Sequence, residues 1–170
     1  MEKKLFDIRT VVMLGLLTAM EIVLSRFCSI SAWNIKIGFS FIPVAAAAIL
    51  FGPLQAGTVA ALGDFLGAIL FPIGAYFPGF TLTAFLTGAT FGLFLHKKQS
   101  AQRIGGAVVI NQLVLSLLLN TLWISILYGA PFHALFLTRF LQCAVSGPIQ
   151  FAALCAVSFA LNRHARGTAA

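Results

Sequence analysis

Six apolar runs divide the chain, at about 8–25, 39–52, 54–71, 80–96, 104–128 and 134–162. A helix that crosses the hydrocarbon core of a bilayer needs roughly 20 apolar residues. Five runs reach or approach that length, and the second needs its flank to complete a span. The pattern predicts an all-α integral membrane protein, a bundle of six transmembrane helices forming one domain over residues 1–170. Six spans use roughly 120 residues. The rest suffices for loops and tails, so any chemistry is expected within the membrane.

Between the first two runs the period changes. Trp33, Ile35, Ile37, Phe39 and Phe41 alternate with Ala32, Asn34, Lys36, Gly38 and Ser40. Period two reads as an extended segment, either a flap-like loop over a cavity or an interfacial loop whose alternation is accidental. Pro43 suits the first turn of the second helix, and Gly52-Pro53 predicts a tight turn into the third. Residues 71–79 are rich in turn formers and aromatics and predict a return loop. In the third run Gly57, Ala61, Asp64 and Ala68 share a stripe at 3.6 residues per turn. Small residues of that kind let helix backbones approach closely, which turns Asp64 toward the bundle. The fourth run carries Thr81, Ala84, Gly88 and Gly92 on one face. The fifth carries Ser116, Asn120 and Trp123, and the sixth Arg139, Gln142, Ser146 and Gln150. Gly147-Pro148 predicts a kink in the sixth helix. Gly15 and Ala19 form a further small pair in the first, serving either a partner helix or packing inside the bundle.

Composition agrees: 60% of residues are hydrophobic and 9% charged, and mean hydropathy is +1.00. The net charge of +7 invites a nucleic-acid partner, but its distribution argues against one. Lys3, Lys4 and Arg9 precede the first run, Lys97, Lys98 and Arg103 sit between the fourth and fifth, and Arg163 and Arg166 follow the sixth. With six spans these eight of the eleven Lys and Arg share one side. The positive-inside rule makes that side cytoplasmic and places both termini there. Cys143 and Cys155 read as core filler. Cys28 follows an apolar run, but Ser25-Arg26-Phe27 is wrong for a lipoprotein cleavage site, so the first run reads as a retained helix. There is no phosphate-binding G-x-x-x-x-G-K-[ST] loop and no H-E-x-x-H. No Cys/His cluster suggests a metal, no Ser/His/Asp set suggests catalysis, and no cofactor is implied.

The remaining charges carry the functional signal. Glu21, Arg26, Asp64 and Arg139 lie in or at the mouth of apolar runs, where an ionisable group costs a few kcal/mol unless it faces a partner or a wet cavity. By their positions along alternating spans they fall in the extracellular half. Asn120 lies there too, with Arg26, Lys36, Tyr76 and Trp123 at the rim. Arg26, Lys36 and Arg139 suit an anionic ligand. The residues alone leave alternatives open: Arg26 snorkelling to headgroups, Arg139 paired with Glu21 or Asp64, Asp64 structural, and Tyr76 and Trp123 as interfacial anchors.

Several strings resemble a known family. They are Leu24-Ser25-Arg26-Phe27, Lys36 to Pro43, Leu50-Phe51-Gly52-Pro53, Asp64 to Pro72, Tyr76 to Ala84, Asn120-Thr121-Leu122-Trp123, Tyr128-Gly129 and Arg139. Over nearly the whole chain this is similar to the folate-specific substrate-binding subunits of energy-coupling factor (ECF) transporters. The Asp64 to Thr83 block is shared across the vitamin-binding subunits. The Arg26, Lys36–Pro43 and Asn120–Trp123 segments resemble the folate branch more specifically.

The resemblance implies a multi-pass subunit of the bacterial cell membrane. It would capture folate from outside and deliver it with a coupling membrane protein (the T component) and two cytoplasmic ATPases. It implies ligand contacts among Arg26, Asn34, Lys36, Asp64, Tyr76, Phe77, Thr81, Asn120, Trp123 and Arg139. Gly15 and Ala19 stand where the family carries an Ala-xxx-Ala motif that docks the coupling protein. Folate suits this inventory: a carboxylate can accept the pterin's adjacent N–H donors, aromatics can stack on its ring, and cations match its dianionic tail. The alternatives are a subunit for another vitamin, such as pantothenate or a queuosine precursor, a small membrane enzyme using Glu21 or Asp64 as base, and an autonomous channel or carrier.

Overall fold

The computed structural model describes residues 7–32, 35–72, 74–97, 99–129 and 132–167; within these, side chains are described except for 30–32, 35–37, 132–134 and 160–167. In chain order the elements are α1 (Ile8–Arg26), β1 (Ser29–Ala32), β2 (Ile35–Gly38), α2 (Phe41–Phe51), α3 (Pro53–Leu70), α4 (Pro78–Leu95), α5 (Ala101–Tyr128) and α6 (Phe132–Gly167). Five helices are long and apolar enough to cross a membrane. The sixth, α2, has 11 residues and spans only about 16 Å at 1.5 Å per residue.

The flap between the first two helices is a hairpin. β1 and β2 pair antiparallel, with Ser29 opposite Gly38 and Ala32 opposite Ile35. A bonded ladder answers the accidental-loop alternative: paired backbone groups need no water at a membrane edge. Trp33 and Asn34, between the two strands in sequence, lie outside the described residues.

Turn chemistry sets the helix junctions. Gly52 has φ +102°, a left-handed conformation that L side chains rarely adopt, and Pro53 begins α3 directly after it. Gly129 closes α5 at φ +62°. Pro148 lies inside α6, which continues through it.

The bundle has two unlike ends. At the end carrying His96, Lys97 and Arg103, a dry core packs Ala45, Ala47, Ala48, Ala56, Val59, Phe91, Leu95, Ile104, Ala107 and Leu154. Its small residues let α2, α3 and α4 approach backbone to backbone. A Cβ at Gly88 would strike the Ala56 carbonyl, and one at Gly92 the backbone of Pro53. The opposite end, carrying the hairpin, the 71–77 loop and Gly129, is hollow.

α5 departs from a regular helix. Its middle, Ile110–Leu119, is π-helical, with the Asn120 N–H donating to the Leu115 carbonyl five residues back. A π stretch of this length is rare, and π-bulges occur frequently at functional sites.

Candidate functional site

The hollow end encloses a cavity of about 720 Å³ to which all six helices, the hairpin exit and the 71–77 loop contribute. That is within the range of pockets that bury a vitamin-sized ligand. α1 supplies Glu21 and Arg26, the hairpin exit Phe39 and Ser40, α3 Asp64, and the loop Tyr76 and Phe77. α4 supplies Thr83 and Thr87, α5 Asn111, Gln112, Ser116, Asn120 and Tyr128, and α6 Arg139, Gln142, Ser146 and Gln150.

α1 meets α3 through two glycines that make room for charged side chains. The Glu21 carboxylate occupies the place of a Gly63 side chain, and the Arg26 guanidinium lies 2.8 Å from where a Gly67 Cβ would stand. Arg26 makes a long 3.4 Å hydrogen bond from a terminal nitrogen to the Asp64 carbonyl. Its Nε is buried and has no hydrogen-bond partner among the described residues. A guanidinium held beside a glycine with a donor to spare is poised for an anionic acceptor. Glu21 and Arg139 are both buried and both border the cavity.

Asp64 is oriented by a short relay. Thr81 Oγ1 donates to Asp64 Oδ2 at 2.9 Å, and the Tyr76 hydroxyl lies 3.2 Å from the same Thr81 oxygen. The aromatic wall is tied in the same way. Phe77 packs on Trp123 with centroids 5.5 Å apart, Trp123 Nε1 donates to Thr83 Oγ1 at 3.0 Å, and Thr83 donates to the Gly79 carbonyl at 2.9 Å. A side chain at Gly79 would collide with both Phe77 and Trp123.

Six of the sequence-predicted ligand residues border the cavity: Arg26, Asp64, Tyr76, Phe77, Asn120 and Arg139. Two do not. Thr81 stands behind Asp64 and orients it, and Trp123 stands behind Phe77 and Thr83. The predicted α5 stripe of Ser116, Asn120 and Trp123 is corrected to Ser116, Asn120 and Ile124. Asn34 lies outside the described residues, as does the side chain of Lys36. All four residues of the α6 stripe, Arg139, Gln142, Ser146 and Gln150, border the cavity.

Asn111 and Gln112 were missed by the sequence expectation. Their signal was present, as two adjacent amides inside an apolar run. Gln112 donates to Gln150 at 3.1 Å, which extends the polar surface deeper than the outer half.

Gly15 and Ala19 lie on the outer face of α1, both exposed, and a Cβ at Gly15 would meet nothing within 4 Å. They do not pack inside this bundle.

The family model for the substrate-specific component of ECF transporters matches residues 9–158. The chain belongs to the FolT family of these components. It is 44% identical over 143 residues to a folate transporter FolT of Clostridium novyi (strain NT), covering 84% of this chain and 83% of that protein. A folate transporter FolT of Leuconostoc mesenteroides subsp. mesenteroides is 32% identical over 151 residues, covering 85% and 81%. A crystal structure of FolT bound with folic acid superposes with a TM-score of 0.85 at 35% identity, covering 89% of this chain and 93% of that one. The S component of a bacterial ECF transporter shares the fold, with a TM-score of 0.61 at 21% identity over 94% and 96% of the two chains. The family is one of transporter components rather than enzymes, which removes the enzyme alternative.

Proposed function

We propose that this chain is the folate-capturing subunit of an ECF importer. It takes folate at the hairpin end of the bundle and hands it on through a coupling membrane protein driven by two cytoplasmic ATPases. The observation that carries this reading is a 720 Å³ cavity lined by both charged and aromatic side chains in a chain 44% identical to a folate transporter. The ligand is a dianion at one end and a neutral flat heterocycle at the other. Arg26 and Arg139, with Lys36 of the hairpin, are the cations for the carboxylates. Phe77 and Tyr76 offer aromatic faces.

The protein resides in the bacterial cell membrane with both termini in the cytoplasm, a sidedness supported by Lys97 and Arg103 at the dry end and by the basic residues that flank the first and last apolar runs in the sequence. Gly15 and Ala19 form the docking stripe for the coupling protein: both are small and exposed, and among the described residues a Cβ at Gly15 would face open space.

Calorimetry on the detergent-purified chain tests the reading. One folic acid per protein is expected. Neither heat nor thermal stabilisation with folic acid or its reduced and 5-formyl forms would sink it.

A further inference from the structure

Along α5, residues bordering the cavity recur at every fourth position: Gln112, Ser116, Asn120, Ile124 and Tyr128. In an α-helix each residue turns the chain by about 100°, so a row with that spacing drifts by roughly 40° per step. From Gln112 to Tyr128 the drift would reach roughly 160°, turning the last residue nearly opposite to the first. The winding of Ile110–Leu119 takes up the drift in the first half of the row, because roughly four to five residues complete each turn there.

π winding occurs mostly as single turns, so a stretch of 10 residues calls for something to hold it. α6 supplies two bonds, both to Gln112. The Cys143 thiol donates to the Gln112 backbone carbonyl at 3.4 Å and lies 3.9 Å from Ser116 Oγ. The Gln112 side chain donates to Gln150 Oε1 at 3.1 Å. In an α turn the Ser116 N–H would meet the Gln112 carbonyl, and in a π turn that task passes to Leu117. The thiol thus bonds a carbonyl whose backbone partner differs between the two windings. Cys143 and Gln150 stand about two turns apart on α6, on either side of Gly147 and Pro148.

Beside these bonds the two helices stand apart. A groove of about 360 Å³ separates Gly105, Val109 and Leu113 of α5 from Ala144, Gly147 and Phe151 of α6. Those apolar side chains offer α5 no polar hold. Gln112 borders both the groove and the cavity, and interhelical hydrogen bonds help to fix helix pairs in lipid. We infer that Cys143 and Gln150 clamp Gln112 and are positioning residues for the cavity wall: they hold the π winding of α5 that turns Asn120, Ile124 and Tyr128 inward. Released from the clamp, the stretch returns to α winding and gains roughly half a turn over its length. Ile124 then swings away from the cavity. Ile126, which is 58% exposed on the outer surface and about 200° further round, swings toward it.

Thiol labelling reads that rotation directly. The parent chain carries Cys28→Ala, Cys155→Ala and Cys143→Ser, whose hydroxyl keeps a donor at the clamp. A reporter is added as Ile124→Cys or Ile126→Cys, and the chain in nanodiscs is treated with sulfonatoethyl methanethiosulfonate, a small anionic reagent. Thiolates react and apolar surroundings suppress them, so the parent should label at least about tenfold faster at position 124 than at 126. Replacing Cys143→Ser by Cys143→Ala and adding Gln112→Leu removes both bonds. The ratio of rates should then fall about tenfold or invert, with position 126 gaining what 124 loses. General loosening would raise both rates together, and that result, like an unchanged ratio, overturns the assignment. If the doubly released chain does not melt cooperatively, Cys143→Ala and Gln150→Leu are tested singly, and each should shift the ratio in the same direction. No shift in a folded single variant, or no variant that folds, means that the two bonds hold the fold and do not set the phase of α5, and the inference fails.

Discussion

Arg26 and Asp64 show how little of a site residue's task is visible in its identity. Asp64 carries the most conspicuous intramembrane carboxylate of α3, yet one of its oxygens is committed to Thr81. Arg26 keeps a buried Nε without a partner. Arg26→Ala and Arg139→Ala should each weaken folate binding by about 2–5 kcal/mol, whereas Lys97→Ala, at the dry end, should leave calorimetric affinity unchanged. Equal affinities for all three would assign the cations near the hairpin to structure or topology. Thr81→Val should lower affinity less than Asp64→Asn, because it loosens the carboxylate without removing its charge. A Thr81 variant as damaging as Asp64→Asn would place Thr81 itself in contact with ligand. The sequence picked out Arg26, Asp64, Tyr76, Phe77, Asn120 and Arg139 because charged, amide and aromatic groups in or beside apolar runs are conspicuous. It could not separate Thr81 and Trp123, which orient the wall, from the residues that form it, because that depends on which neighbour each side chain meets.

Elements meet through missing side chains. Gly88 and Gly92 of α4 press on the backbone of α3's first turns, and backbone cannot yield as a flexible side chain does. Gly88→Ala should therefore lower stability by about 1–3 kcal/mol, read as a fall in the melting temperature of the detergent-purified protein. Gly63→Ala should do the same and reduce folate affinity as well, because its Cβ would displace the Glu21 carboxylate beside the cavity. Gly15→Ala, facing open space, should change neither. A Gly63→Ala variant with unaltered melting and binding would mean that α1 shifts along α3 without consequence. Gly57, Gly63, Gly67, Gly88 and Gly92 look alike in the sequence as a run of small residues. Only their neighbours show that Gly88 and Gly92 separate nothing but backbones, while Gly63 and Gly67 make room for charge.

For the whole molecule, the proposed capture and docking surfaces lie on different faces of α1. Glu21 and Arg26 turn inward to the cavity, and Gly15 and Ala19 lie exposed toward the dry end. Arg26 is seven residues past Ala19, about 10 Å along the axis at 1.5 Å per residue. Gly15→Leu or Ala19→Leu should leave calorimetric folate binding nearly intact. Co-purification with the coupling protein and ATP-driven uptake should fall sharply, since a bulky side chain forfeits the close packing that drives helix association in lipid. Variants that lose folate but still co-purify would relocate the docking surface. The same molecule shows what the sequence determined by itself. The lengths and number of the apolar runs announced the six helices, and period two announced the hairpin, because hydrocarbon thickness and the strand repeat act on local sequence. Tertiary structure alone decided which face of each helix turns inward. In a membrane both the core and the lipid are apolar, so hydrophobicity does not distinguish them. It also decided the phase of α5. A stripe drawn at 3.6 residues per turn puts Trp123 in the wall and leaves Asn111 out. The π-helical winding of Ile110–Leu119 reverses both assignments, because the facing of every later residue depends on turns that no local pattern records.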